Sequence, residues 1–320
     1  MRRTISNSIS VPAAAAAAAL VAAVLTATVP GAPARADVWP PTAQDVKVMA
    51  TADQEEFLNM LELVRKGYTA EGEDGNPLLT MVERQSEQVA AQPKAVDPRL
   101  ERGRILMDSG AVNKALEDFE AAIRLDPRSA AAWHLRGLAH ERLGELAKAR
   151  EFYLRAMELD PKGPGGIAAA WDEQSLGFLQ APAQKTIVER LGPPDSFSIV
   201  IIAEPDKPET LHRQESWYYY RLGSVFDFTD GVLTAESNLP GDAEGVAGFL
   251  VPPYRPYQFI GGIDFFTLTD VIGQSNYAHL ALGADPLADG ELVYAPMLAM
   301  GFKDGGLFYV RTIPFFMGKN

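Results

Sequence analysis

The 320-residue sequence contains no cysteine. That one absence excludes disulfides, thiolate zinc sites, cysteine nucleophiles and a lipid-modified N-terminal cysteine. Histidine is scarce, with four residues: His134, His140, His212 and His279. None forms a metal-spaced pair; six positions separate His134 from His140, which puts them on widely separated faces of a helix. There is no G-x-S-x-G, no H-E-x-x-H and no phosphate-cradling glycine loop. Gly261-Gly262 and Gly305-Gly306 read as turns, and the acidic run Glu71-x-Glu73-Asp74 lacks the spacing of a calcium loop. The expectation is a protein with no metal, no cofactor and no catalytic residue. Basic residues are also short, 29 Lys and Arg against 42 Asp and Glu for a net charge of −13. Such a surface repels phosphate backbones, so nucleic acid is not an expected partner. The apolar run Phe197 to Ala203 is far too short for a bilayer span and reads as a strand.

What is present begins with a leader. Arg2 and Arg3 supply a positive start, Pro12 to Val29 an apolar alanine-rich stretch, and Ala34-Arg35-Ala36 a small-residue cleavage site. That order is a secretory signal peptide over residues 1–36, with Asp37 as the new N-terminus. The mature chain is expected in the periplasm or outside the cell. Removing the leader takes away three arginines and no acid, which deepens the negative balance.

The clearest internal signal is a period of 34 residues. Arg102, Gly103, Gly110, Lys114, Ala115, Glu117, Ala122, Leu125, Asp126 and Pro127 recur as Arg136, Gly137, Gly144, Lys148, Ala149, Glu151, Ala156, Leu159, Asp160 and Pro161. Phe119 recurs as Tyr153. Small residues at Gly103, Ala115, Gly137 and Ala149 suit the close crossing of two antiparallel helices, with Phe119 and Tyr153 filling the space beside them. Gly110 and Gly144 suit the turns, and Asp-Pro ends each second helix. At these residues the chain resembles the tetratricopeptide repeat (TPR) family: Trp133, Gly137, Ala149, Tyr153, Ala156 and Pro161 match its signature in the second unit, and Gly103, Ala115, Phe119, Ala122 and Pro127 in the first. Arg99 stands where the tryptophan of the first unit is usual.

The resemblance implies a concave groove lined by the first helix of each unit, offering Leu100, Arg104 and Met107, then His134, Leu138 and Glu141. This mixture suits an extended peptide or a partner helix; it does not resemble the lysine-and-asparagine clamp for a C-terminal carboxylate. Two repeats are few for a solenoid, so flanking helices should cap them; the groove then either meets a partner or is filled by flanking helices or the C-terminal half. Before the pair, Asp53 and Glu56 read as a capping box opening a helix through Phe57, Met60, Leu61 and Val64. A second helix is expected over Leu78 to Val89. After it, Gly163-Pro164-Gly165-Gly166 reads as a linker and Ile167 to Leu176 as a capping helix.

From Gln180 onward short β-rich runs replace helical periodicity. A helix is expected over Ala183 to Leu191, strands over Phe197 to Ile202 and Glu215 to Arg221, and a polar loop over Glu204 to Gln214 between them. Val225 to Phe228 and Val232 to Glu236 read as a hairpin through Thr229-Asp230-Gly231. The order recurs: a helix over Phe265 to Ile272, strands over Glu291 to Ala295 and Met297 to Phe302, and a turn at Asp304-Gly305-Gly306 into Leu307 to Thr312. Tyr254, Pro256 and Tyr257 read as packing between the two units. The fold class is α+β and multidomain: an N-terminal helical segment over 37–94, TPR hairpins over 95–166 with a cap to about 176, and α+β units over 180–250 and 255–320.

Leu191-Gly192-Pro193-Pro194-Asp195, Trp217-Tyr218-Tyr219 and Phe226-x-Phe228-x-Asp230-Gly231 resemble two families. One comprises the accessory proteins of the outer-membrane barrel-assembly machine, which share a fold with β-lactamase inhibitor protein. The other is the GWxTD domain of exported bacterial proteins, whose naming motif this chain lacks. Both imply a non-catalytic binding fold in the cell envelope. In the aromatic run, strand alternation places Trp217 and Tyr219 on one face and Tyr218 and Tyr220 on the other. One pair is expected in the core; the other reads as sheet packing under a helix or the neighbouring unit, with a protein-binding patch as the alternative. Function is expected to be that of an exported adaptor or scaffold with a protein or peptide partner. An inhibitor-like or sensing module acting through the aromatic half is the alternative, and an unrecognised hydrolase the third.

Overall fold

The computed structural model describes residues 41–54, 77–239, 249–272, 277–284, 289–313 and 315–316. The leader, and the stripe Phe57, Met60, Leu61 and Val64, lie outside the described residues. The described residues between 43 and 191 form a helical region, followed by an antiparallel eight-stranded sheet. The helices are α1 (43–54), α2 (Pro77–Ala91), α3 (Asp97–Asp108), α4 (Val112–Leu125), α5 (Ala130–Arg142), α6 (Leu146–Leu159), α7 (Pro164–Phe178) and α8 (Pro182–Leu191).

Two successive hairpins, α3–α4 and α5–α6, carry the 34-residue repeat. Their crossings are equivalent: a Cβ on Gly103 would enter the Phe119 ring, and one on Gly137 would enter the Tyr153 ring. Phe119 and Tyr153 are fully buried, as are Ala115 and Ala149. Gly110 and Gly144 hold φ of 81° and 76° at the turns. α2 packs on α3 at one end and α7 on α6 at the other, so both exposed hairpin faces are capped. The stretch expected as a linker after Pro161 is helix instead. Pro164 opens α7 at its first turn, where its missing N–H costs nothing. Gly166 lies so close to the Asp160 carbonyl that a Cβ would collide with it.

The sheet strands are β1 (Ser196–Glu204), β2 (Lys207–Tyr219), β3 (Ser224–Thr229), β4 (Val232–Asn238), β6 (Ala278–Ala281), β7 (Glu291–Ala295), β8 (Leu298–Lys303) and β9 (Gly306–Thr312), with α9 (Phe265–Ile272) before β6. Their order is β4-β3-β2-β1-β9-β8-β7-β6. Each half is a helix followed by a four-stranded meander, and the pairing of β1 with β9 joins the halves into one sheet. A separate pair joins β5 (Phe249–Leu250) to β10 (Phe315–Phe316). Asp230-Gly231 and Asp304-Gly305 turn the equivalent hairpins, all four residues at positive φ, as tight two-residue turns require. The polar stretch expected as a loop before Glu215 is the first part of β2, paired along β1. Its side chains are largely exposed, so it carries no apolar signal, and only its cross-strand partner makes it a strand.

One face of the sheet packs Phe197, Ile199, Trp217, Phe226, Phe228 and Met300 into the main core with α8 and the Phe259 region. The other face is covered over β7–β9 by α1. Gly301 leaves room for Met49, since a Cβ there would lie 2.9 Å from the Met49 sulfur. Asp53 is buried and accepts hydrogen bonds from Tyr294 (3.1 Å), Tyr309 (2.8 Å) and Arg311 (2.5 Å). Asp53 is therefore an anchor on the sheet and not a helix cap. α1 begins ten residues earlier, where Thr42 and Asp45 hydrogen-bond each other's backbone amides.

Gly137→Ala is expected to lower stability by about 1–3 kcal/mol, because the Tyr153 ring has no space to yield. Gly177→Ala in α7, with nothing within 4 Å, should raise it by up to about 1 kcal/mol through helix propensity. Urea denaturation of the two variants reads both signs.

Candidate functional site in the repeat groove and on the aromatic strand

The first helix of the second hairpin, α5, presents His134, Leu138 and Glu141 along one side, as 3.6-residue periodicity dictates. Asp172 arrives from α7. Into the space between them runs the segment Val251–Gln258, which connects the two halves of the sheet. Arg255 is 6% exposed and Glu141 1%. The Arg255 guanidinium meets Glu141 as a fork, Nε to Oε1 at 2.5 Å and Nη2 to Oε2 at 3.2 Å. Its Nη1 reaches Oδ1 of Asp172 at 3.1 Å. The Tyr153 hydroxyl donates to Glu141 Oε2 and the Tyr257 hydroxyl to Oε1. The second Asp172 oxygen lies 2.6 Å from Nε2 of His134. Both carboxylates are thereby held on every oxygen, the condition under which buried charge is tolerated.

The electrostatics follow. Burial works against the charge of Arg255, but Glu141 and Asp172 outweigh it and hold its pKa well above the ordinary arginine value. Burial would raise Asp172, yet Arg255 and His134 together keep it below the usual carboxylate range. Burial, reinforced by the Glu141 charge, pushes the Tyr153 and Tyr257 hydroxyls far up, so both stay protonated donors.

At the edge of this contact the segment is held through its backbone. The Val251 amide donates to the Asp108 carbonyl at 3.2 Å, and Arg142 donates to the Pro252 carbonyl at 3.0 Å. Close main-chain approach fastens the repeats elsewhere too. A Cβ on Gly144 would strike the carbonyls of Val188 and Glu189, and one on Gly192 the Arg142 carbonyl.

The expected groove residues therefore separate. His134 and Glu141 converge on one cluster, but the chain's own segment fills the space meant for a partner. Leu100 and Met107 are buried in the core of the first hairpin and Leu138 packs against the cores of both; all three belong to helix packing. Only Arg104, with its side chain 50% exposed, faces solvent. Reasoning from sequence missed Asp172, Arg142 and Arg255. Tyr254, Pro256 and Tyr257 flanking Arg255 carried the available signal, and an arginine amid such packing residues needs a buried carboxylate.

Trp217, Tyr218 and Tyr219 divide as alternation dictates, but the strand expected through Arg221 ends at Tyr219, and Tyr220 opens a 3-10 turn over Tyr220–Leu222. Trp217 and Tyr219 are in the core, Trp217 against Phe228 at 4.7 Å between ring centroids. Tyr218 and Tyr220 stack on the other side, 6.2 Å apart and 11° from parallel, both half-buried. The register puts Ser198, Val200, Gln214, Ser216 and Asp227 on the same face as Tyr218. Among the described residues no group of three or more His, Asp or Glu side chains is placed to hold a metal ion, and no described helix is long and apolar enough to cross a membrane.

Residues 100–164 match the family model described as tetratricopeptide repeat. That stretch runs from within α3 to the start of α7, and its helix run is that of TPR hairpins. A curated protein with similar sequence is the mouse protein O-mannosyl-transferase TMTC1, 37% identical over 79 residues. The match takes in 22% of this chain and 8% of that protein. The chain thus spans less than a tenth of that relative, and the transferase activity in the name is that protein's.

Asp108 gives a pH dependence with a definite sign. Burial raises its carboxyl to about 6 from 3.8, and Arg142 and Arg104 offset only part of the effect. A raised acid favours the folded state only when protonated. Its charge opposes folding above about pH 6, and this penalty fades as pH falls toward 3.8. Asp108→Asn is expected to stabilise the protein by up to about 3 kcal/mol near neutral pH. Below about pH 4 it should have no effect. Denaturation midpoints across that range check both ends.

Proposed function

We propose that this chain is an exported protein-binding adaptor without catalytic chemistry of its own. The repeats in this reading are the frame, and the partner is met on the open face of β1–β3. The observation that carries it is the filled groove of the second hairpin together with the half-buried Tyr218–Tyr220 stack on the sheet face opposite the core. Generic TPR chemistry supports protein interaction. The usual route, the concave groove, is occupied by Val251–Gln258, which ends in a 3-10 turn over Pro256–Gln258. Stacked aromatics on a rigid sheet supply contact area at low entropic cost, as interface anchors do. Export rests on the order of charge, apolar stretch and small residues in the first 36 positions. The absence of catalysis rests on engagement: the clustered Glu141, Asp172 and His134 hold an arginine and two tyrosines, with no carboxylate oxygen left for a substrate.

A photoreactive amino acid at position 218 should cross-link a protein partner in envelope fractions. One at Met81, exposed on α2, should not. Cross-linking that is equal at both positions, or absent at 218, would count against the reading. Tyr218→Ala should weaken the captured interaction by about tenfold or more. Arg104→Glu, at an exposed position of the first hairpin, should leave the captured interaction unchanged; a loss of affinity there would show that the repeats meet the partner as well and are more than its frame. The mature protein should begin at Asp37, which intact-mass analysis reads directly.

A further inference from the structure

The way Arg255 is held has a chemistry of its own, separate from the sheet face. Two carboxylates from different helices, Glu141 on α5 and Asp172 on α7, aim at one point. Each is also fixed from within the helical region, Glu141 by the Tyr153 hydroxyl and Asp172 by His134. These supports do not involve the segment, so the receptor geometry exists before an arginine arrives. The fork on Glu141 plus the single contact on Asp172 uses three guanidinium nitrogens in one plane. A lysine ammonium, a point charge, cannot reproduce that pattern. The approaching backbone is recognised as well, through the Asp108 carbonyl and the Arg142 side chain. The occupant, Val-Pro-Pro-Tyr-Arg-Pro-Tyr-Gln, carries three prolines in eight residues. Such a segment is stiff, and gives up little entropy on docking.

We propose that the groove of the second hairpin is a guanidinium receptor for a proline-flanked arginine segment that bends into a 3-10 turn directly after the arginine, with Val251–Gln258 as its ligand in cis. A partner chain offering an arginine in the same setting competes for Glu141 and Asp172. Because the cis segment is tethered, it acts at high effective concentration, and a competitor succeeds only when the cis arginine is removed or the segment lifts.

The test uses the full chain with Arg255→Ala and two probes. The first is ethylguanidinium at millimolar concentration, with ethylammonium as control. Ethylguanidinium should raise the thermal midpoint of Arg255→Ala saturably, ethylammonium should not, and neither should affect the wild type or Arg255→Ala combined with Glu141→Gln. The second is a fluorescent peptide of residues 251–258. By anisotropy it should bind Arg255→Ala at least about tenfold more tightly than the wild type. Replacing its arginine by citrulline should remove that gain. Equal responses to ethylguanidinium and ethylammonium, or equal binding of the arginine and citrulline peptides, would overturn the proposal. If Arg255→Ala does not fold, Arg255→Lys serves: the receptor predicts that ethylguanidinium stabilises it too, and no stabilisation refutes the claim. None of these readouts depends on Tyr218, so loss of the sheet-face reading leaves this result standing, and the reverse.

Discussion

A guanidinium cannot be taken out of water unless its charge is met on several sides, and the arrangement of this protein follows from how Arg255 meets that requirement. Glu141 must come from the first helix of the second hairpin, Asp172 from the capping helix, and Arg255 from the connection between the sheet halves. Removing one member of such a buried set costs about 3–5 kcal/mol, because the charges left behind have no partner. The contact therefore fixes the repeats against the sheet. Gly144 and Gly192, where backbones approach too closely for any side chain, do the same without charge.

The sheet has two halves built alike and used differently. Each is a helix and a meander turned at its last hairpin by Asp-Gly, and each presents one face to the common core. Their second faces diverge. α1 lies across β7–β9, with Met49 over Gly301 and Asp53 clasped by Tyr294, Tyr309 and Arg311. On β1–β3, where α8 packs on the core face, the second face carries Ser198, Ser216 and Asp227. Tyr218 sits there, one residue from the wholly buried Trp217. The half that α1 does not cross is the half to which the proposed binding role is assigned.

What could be read from the sequence was what repeats or alternates locally. The period of 34 placed both hairpins and their crossings, because Gly103 and Gly137 answer to Phe119 and Tyr153 within the same unit. Alternation along β2 sorted Trp217, Tyr218 and Tyr219, and ended there, since Tyr220 belongs to a 3-10 turn. The Asp-Gly turns were legible since few residues accept positive φ. Three of the misreadings share a cause in partners distant along the chain. Asp53 has the form of a cap, but its partners lie some 240 positions further on. The first part of β2 has the composition of a loop and becomes a strand only beside β1. Glu141 looked like a groove residue for a foreign ligand, and its ligand is Arg255, more than a hundred residues away. Gly163 to Gly166 looked like a linker because glycine marks flexibility and close contact alike.

If the Arg255 cluster joins repeats and sheet into one unit, the two parts must unfold together. Single-tryptophan variants keeping Trp133 in the second hairpin or Trp217 in the sheet core report each part by fluorescence. The account predicts coincident urea transitions with the same midpoint and slope. A hairpin signal that melts well before the sheet signal would show that the buried charges do not couple the two, and would contradict it.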